Sequence, residues 1–478
     1  VQPCTGVPDL SRKQALLKRH RRNKRLALMG GVLLVIVIGV TVAWWLMPVL
    51  AIAAWVAHEA WFADHLFYSP SDDYQYTFAA ENEVSGVRLD GDRLTFAAPP
   101  TLQGGETLVL ALTIRAGWLG RFLDPLVELR GADILDRQAF ERGVNGMRYL
   151  NLTGLGAPLA AGTLSLRGRF CRVIGQPRLW VFRQPDARQQ RVMVIAPHAD
   201  DAELAAFGLY SQASDAWIVT LTAGEIEADH YRQMGMSGVE AARMKGRLRA
   251  WDSVAVARWG GVPESQCVQL GYFCLQLPAM QAAPDTPVGS READLLDTRL
   301  FRQFNPVPLP GDDGQPTWNN LLADLCALIL KARPQVVVMP HPAIDPHPDH
   351  ICAQAAVREA LAGLEWQPEV VLGYANHLHD NDRWPMGDAY TGISLPPVFD
   401  AQLKLEPYSL ELSVQTQRDK AMALGMMHDL QPPMPFKRRM RRCLQRLLAG
   451  RRWPAEGENE FFRKAVRRHE LFWRSRDL

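Results

Sequence analysis

The apolar positions change rhythm three times along the chain. Positions 26–57 hold no charged residue, and 26–47 is a continuously apolar run of 22 residues. At about 1.5 Å per residue, a helix of that length crosses a hydrocarbon core of about 30 Å. Pro48 predicts where the regular helix ends, and Trp44 and Trp45 suit an interfacial aromatic belt. A cleaved signal peptide has an apolar region of roughly 7–15 residues, so 26–57 reads as an uncleaved single-pass transmembrane anchor. From 66 to 185 the apolar residues come in short alternating runs. Those at 87–89 and 93–96 flank Asp90-Gly91, a two-residue hairpin signal, and further runs lie at 107–115, 126–129, 163–169 and 179–183. Short strands at this spacing predict a small β-sandwich domain over 66–185.

After residue 187 strands alternate with helices. Strands are expected at 192–196, 217–221, 336–339 and 369–372, and helices at 202–210, 239–259, 321–331 and 351–364. This is the pattern of an α/β domain, 187–430, with a Rossmann-like parallel sheet covered on both faces. Positions 278–316 interrupt it with seven prolines, as a lid or a disordered loop would. The segment 431–478 follows as a basic amphipathic tail, with Met440, Leu444 and Leu447 on one face of a helix. Such a helix lies on anionic membrane or stays solvated.

Hydrophobic residues are 47% and charged residues 22% of the 478 positions, as in a chain with packed cores. The net charge of +2 conceals an uneven distribution. Positions 1–25 carry eight Lys/Arg against one Asp, and 437–478 carry fourteen against five acidic residues. The 31 basic and 45 acidic residues between them leave the body near −14. A body that acidic repels phosphate backbones and argues against nucleic acid as a partner, whereas basic ends point to a membrane surface. By the positive-inside rule the arm 1–25 is cytoplasmic, and everything after 57 is expected across a bacterial-type inner membrane, in the periplasm. Seven cysteines show no metal-type CxxC spacing; Cys267 and Cys274 pair across a turn or are buried thiols.

Two segments carry candidate chemistry. Pro197-His198-Ala199-Asp200-Asp201-Ala202-Glu203 follows the strand at 192–196, and His341-Pro-Ala-Ile-Asp345-Pro-His347-Pro-Asp349-His350 follows that at 336–339. Both lie where a parallel strand ends and a helix begins, the crevice in which open α/β sheets bind ligands. His198 and Asp201, and likewise His347 and His350, are three apart, so each pair can face one point. Imidazole and carboxylate suit Zn²⁺, and three such ligands leave a fourth position for water.

These segments resemble the PHPDDAE and HPDH signatures of the PIG-L/LmbE-like zinc de-N-acetylases, over about 191–430. The resemblance implies a Rossmann-like enzyme that removes acetyl groups from N-acetylglucosamine- or N-acetylgalactosamine-type sugars. It implies His198, Asp201 and His350 as Zn²⁺ ligands, Asp200 as general base, and His347 as the group that stabilises the oxyanion or protonates the leaving amine. Thr222-Ala-Gly224-Glu225 resembles a turn beside the family's active site, which makes Glu225 a substrate-side residue, and Arg243 falls where a substrate-contacting Arg is common. Gly246 stands where an acidic residue commonly follows that Arg, and Asp345 where some members have Tyr.

The chemistry agrees with the residue types. Zn²⁺ acidifies water, Asp200 takes its proton, and a cationic His347, oriented by Asp349 or Asp345, faces the oxyanion. Asp345 and His341 are further candidate substrate contacts, and Asn376, His377 and His379 are placed to line the crevice. The expected partner is an N-acetylated envelope glycan or glycolipid such as lipopolysaccharide. The alternatives are a non-catalytic glycan-binding protein with a degenerate deacetylase domain, its β-domain aromatics Trp118, Tyr149 and Trp180 stacking on sugars, and a hydrolase of another amide or an ester.

Overall fold

A computed structural model describes residues 7–475 apart from 65, 132–133, 432–433 and 458, with side chains from 17 onward. The apolar segment is two helices, not one. Val7–Thr41 and Leu46–Ala57 are joined by a turn at 42–45, and the second continues into the wider turn His58–Phe62. The break precedes Pro48, because proline, lacking an N–H, is accommodated in the first turn of the new helix. Leu17–Thr41 is long and apolar enough to cross a membrane by length and composition.

Two antiparallel sheets follow. One has the order Glu83–Val84, Cys171–Phe182, Thr107–Ala116, Asn145–Asn151; the other Val87–Asp90, Arg93–Phe96, Ser165–Arg169, Leu126–Arg130, Leu135–Ala139. Leu108, Leu110 and Leu112 from the first share a core with Val127, Leu129 and Leu166 from the second. The alternate positions Val109 and Ala111 face the other way and pack with Tyr149, Trp180, Leu471 and Trp473. Tyr149 and Trp180 are therefore core residues, while Trp118 is exposed.

The third sheet has seven strands in the order Cys267–Tyr272, Asp215–Thr222, Arg191–Ala196, Val336–Pro340, Val370–Tyr374, His469–Ser475, Glu406–Glu411. The first five pair in parallel; the last two are antiparallel additions. Arg191–Ala196 has its sequence successor on one side and the much later Val336–Pro340 on the other, so the winding reverses between them and leaves a crevice at their carboxyl ends. The continuous burial of these strands explains their unbroken Val/Ile/Met character.

The 431–478 segment is not a peripheral tail. Phe436–Ala449 is the expected helix, but His469–Ser475 is a buried strand of the large sheet. Its Glu470 accepts hydrogen bonds from the Gly208 and Leu209 N–H groups of helix Asp201–Tyr210 and from Lys420 Nζ at 2.8 Å. The proline-rich stretch 278–316 is tied down by Val288 N to Pro316 O, Thr298 N to Gly314 O and Ser290 Oγ to Glu225. Cys267 and Cys274 are separate buried thiols.

Lys420 and Glu470 are each 1% exposed, so Glu470→Ala strands a buried ammonium and removes the brace of the Asp201 helix. The expected loss is about 3–5 kcal/mol, read as a lower denaturant midpoint for the detergent-solubilised chain; an unchanged midpoint would refute the brace.

Candidate active site

The two motif loops meet at the crevice. Asp201 opens a helix, its N–H bonded to the His198 carbonyl, and its Oδ2 accepts from the His198 N–H at 2.9 Å. His347 caps helix Pro348–Ala362, whose proline occupies the first turn, where no N–H is needed, and His350 follows on that turn. Three donor atoms converge: His198 Nδ1 to Asp201 Oδ2 is 3.1 Å, His350 Nε2 to Asp201 Oδ2 is 3.1 Å, and His350 Nε2 to His198 Nδ1 is 3.4 Å. Ligands at about 2.0–2.1 Å from a tetrahedral Zn²⁺ stand roughly 3.3 Å apart, so this triangle fits one face of such a site.

Carboxylates hold the outer edges of that triangle. Asp345 Oδ2 lies 2.9 Å from His350 Nδ1 and also accepts the Asn376 and His377 N–H groups. Asp349 Oδ2 lies 3.1 Å from His198 Nε2 and accepts the Leu275 N–H, and Asn376 Nδ2 reaches Asp201 Oδ1 at 2.7 Å. Asp345, Asp349 and His350 are fully buried. Burial alone would lower the His350 pKa, but Asp201 and Asp345 outweigh it and raise it to about 10. The same carboxylates' ion pairing overrides burial at Asp345, where His350 holds the pKa down to about 2.

Asp200 and His347 lie on the more open side of this buried set. Asp200 Oδ1 is 3.0 Å from Arg249 Nη2, and the same guanidinium meets Asp429. His347 contacts the rings of His198, His350 and His377, and its Nδ1 has no hydrogen-bond partner among the described residues. Burial, with positive charge on His198 and His350, depresses its pKa to about 3. Asp345 and Asp349 hold His350 and His198, where the sequence suggested that they orient His347.

The four expected substrate contacts do other work here. Arg243 donates to the Ala293 and Asp294 carbonyls, pinning the 278–316 stretch. Glu225 is buried, accepting from Ser290 Oγ and the Cys274 N–H. Asp345 is closed behind His350, and His341 packs beside Trp473 with its Nδ1 accepting from Ala343 N. Gly246 has no room for the acidic residue common there: a Cβ would sit 2.4 Å from Phe301.

Arg249 and Asp429 were not legible from the motifs. Arg249 is six positions beyond Arg243 on helix Gly238–Ala255 and faces the site. The signal was in Gly224, whose φ of +63° forms the turn and whose missing side chain admits the Arg249 guanidinium 2.3 Å from where a Cβ would be. Cys274, beside His198 and Asp349, also escaped notice as a site residue.

The family model for PIG-L, GlcNAc-PI de-N-acetylase, matches residues 193–361. No curated protein sequence matches the chain. Among solved structures, the 4-carboxy-2-hydroxymuconate hydratase GalB of Pseudomonas putida KT2440 aligns at 13% identity and a TM-score of 0.31, covering 54% of this chain and 83% of that one. A triple mutant of a deacetylase from the teicoplanin biosynthetic pathway aligns at 15% identity and a TM-score of 0.32, covering 60% of this chain and 100% of that one.

Metal must displace the proton that His350 holds below about pH 10. Zinc affinity of the metal-free chain should therefore rise with pH from 6 to 8, with proton release on binding, measured by competition with a chromogenic chelator. Asp345→Asn should weaken zinc by about 10–100-fold. Affinity independent of both would exclude zinc binding through His350.

Proposed function

We propose that this chain is a zinc-dependent hydrolase removing N-acetyl groups from amino sugars of a membrane-borne glycan or glycolipid. The observation that carries the reading is the convergence of His198 Nδ1, Asp201 Oδ2 and His350 Nε2 beside Asp200 and His347, within the span that matches the de-N-acetylase family. The sugar specificity and the glycolipid rest on the family's printed description and on the apolar segment.

His198, Asp201 and His350 would hold a zinc ion, which would supply Lewis acidity to the amide carbonyl and acidify the attacking water. Asp200 accepts the proton of the attacking water, and the Arg249 ion pair fixes the direction of its carboxylate. His347 offers a ring nitrogen without a protein partner among the described residues and donates a hydrogen bond to the developing oxyanion. Asp200 returns the proton it has taken from the water to the departing amine, which closes the proton balance within one carboxyl group.

Asp200→Asn should retain zinc and fold but lose about 10²–10⁴-fold in deacetylation of an N-acetylglucosaminyl lipid, followed by release of acetate. His347→Ala should lose on the order of 10²–10³-fold. The double variant should fall well short of the product of the two, because both groups serve one transition state. Full activity in Asp200→Asn would refute the assignment of the base, and an inactive wild-type chain with stoichiometric zinc would favour the glycan-binding alternative.

A further inference from the structure

The apolar segment doubles back. Val42 N bonds to Ile38 O at the end of the first helix, and Leu46 N to Ala43 O and Met47 N to Trp44 O open the second. Met47 lies on Gly39, where a Cβ would be 2.1 Å from its Cγ. At the other end, one cavity of about 770 Å³ is lined by Asn23, Lys24 and Leu28 of the first helix and by Ala54, His58 and Phe62 of the second. The His20 ring stands 6.2 Å from that of Phe67, just after the second helix. Residues 20–28 and 54–67 therefore share one end, and Trp44 and Trp45 form the opposite tip.

The two arms are apolar on every side and covered by almost no protein: Val40 is 79% exposed, Val42 70% and Ile52 62%. A helix hydrophobic all round needs an apolar surrounding. The charge at the base says which. Lys18 to Arg25 form a basic collar there. Helix Phe436–Ala449 is fastened to the same base, with Arg441 Nε donating to Glu59 and Gln445 Nε2 to the Glu59 carbonyl. Beside its basic residues Phe436 and Leu447 are 76% and 74% exposed. Two basic elements distant in sequence, with apolar side chains between them, match an anionic lipid surface more closely than a second protein copy.

The doubling back settles how the chain enters, because residues 20–28 and 54–64 then leave the apolar segment by one face. The uncharged part of the first helix, 26–41, is about 24 Å long, and the second helix with its continuation to Phe62 is of about the same length, so the arms match each other. At the tip the Val42 and Ala43 N–H groups bond to Ile38 O, Leu46 N to Ala43 O and Met47 N to Trp44 O, and Pro48 brings no N–H that would need a partner in lipid.

We infer that residues 26–57 form a hairpin inserted into the bilayer from one face, so that the basic arm and the catalytic body lie on the same, cytoplasmic, side. This replaces the single crossing and periplasmic body that the charge flanks alone suggest. It rests on the membrane reading above but not on the enzymatic one. The active site then meets amino sugars on lipids of the cytoplasmic leaflet, before any transfer across the membrane.

The test uses the full chain in bacterial membranes, with Cys4→Ser, Cys326→Ser and Cys443→Ser to remove background labelling. Arg19→Cys reports the arm and the exposed Asp229→Cys reports the body. A membrane-impermeant maleimide should label both in inside-out vesicles and neither in intact spheroplasts. Alkaline phosphatase fused after Leu478 should be inactive. Labelling of Asp229→Cys in spheroplasts, or an active fusion, would overturn the inference. So would recovery of the chain in the soluble fraction, an outcome that leaves the deacetylase assay untouched and so separates the two readings.

Discussion

Everything at the crevice depends on the pairing of three carboxylates with two imidazoles, all of them buried. His198 and His350 each have a carboxylate at both nitrogens, with Asp201 shared between them. Ions so buried are costly to leave without partners, and losing one carboxylate costs more than its own contact. The surroundings supply most of what these groups still lack, although Asp349 Oδ1 has no hydrogen-bond partner among the described residues. Asn376 holds the outer oxygen of Asp201, backbone N–H groups complete Asp345, and Leu275 N serves Asp349. The same demand fixes the strand ends, since the Pro197 carbonyl takes Thr222 Oγ1 and the Ile195 carbonyl takes the Tyr374 hydroxyl.

The antiparallel region is joined to this arrangement through polar and apolar contacts of its own. Asn151 Nδ2 donates to Ser409 Oγ, Ser409 N to Thr107 Oγ1, and His469 Nε2 lies 3.0 Å from the Thr153 carbonyl. Around them Tyr76, Tyr149 and Trp180 pack against Leu471 and Trp473. Tyr149 and Trp180, two of the three aromatics that would suit a sugar platform, are thus part of the joint between the two parts of the chain.

The alternating strands and helices from 191 onward and the two motif loops were legible because their information is local: a strand of Val and Ile, a turn, a capped helix. Three-residue spacings at adjacent strand ends pointed to His198, Asp201, His347 and His350 together, and the family resemblance singled out His198, Asp201 and His350 among them. What escaped depends on long-range closure. Arg249 reaches Asp200 only because Gly224 vacates space 25 residues earlier in sequence, and Asp429 arrives from another helix end. The His469–Ser475 strand was hidden in a basic stretch because the charges of Arg467 and Arg468 are consumed by the Thr391 and Gly392 carbonyls and by Glu411. The turn at 42–45 was hidden in an unbroken apolar run, in which hydropathy alone does not distinguish one long helix from two.

The position of the His469–Ser475 strand has a consequence in time. A ribosome delivers the chain in order, and this strand emerges more than 400 residues after the paired apolar helices. It must slot between Val370–Tyr374 and Glu406–Glu411, which cannot pair with each other in its absence. Contacts of such sequence separation form slowly. On the proposed insertion the hairpin can meet lipid while the sheet is still open, and helix Asp201–Tyr210 receives its support from Glu470 only after that strand has emerged. Attachment would then precede the locking together of the donor atoms, so that the site is completed at the membrane.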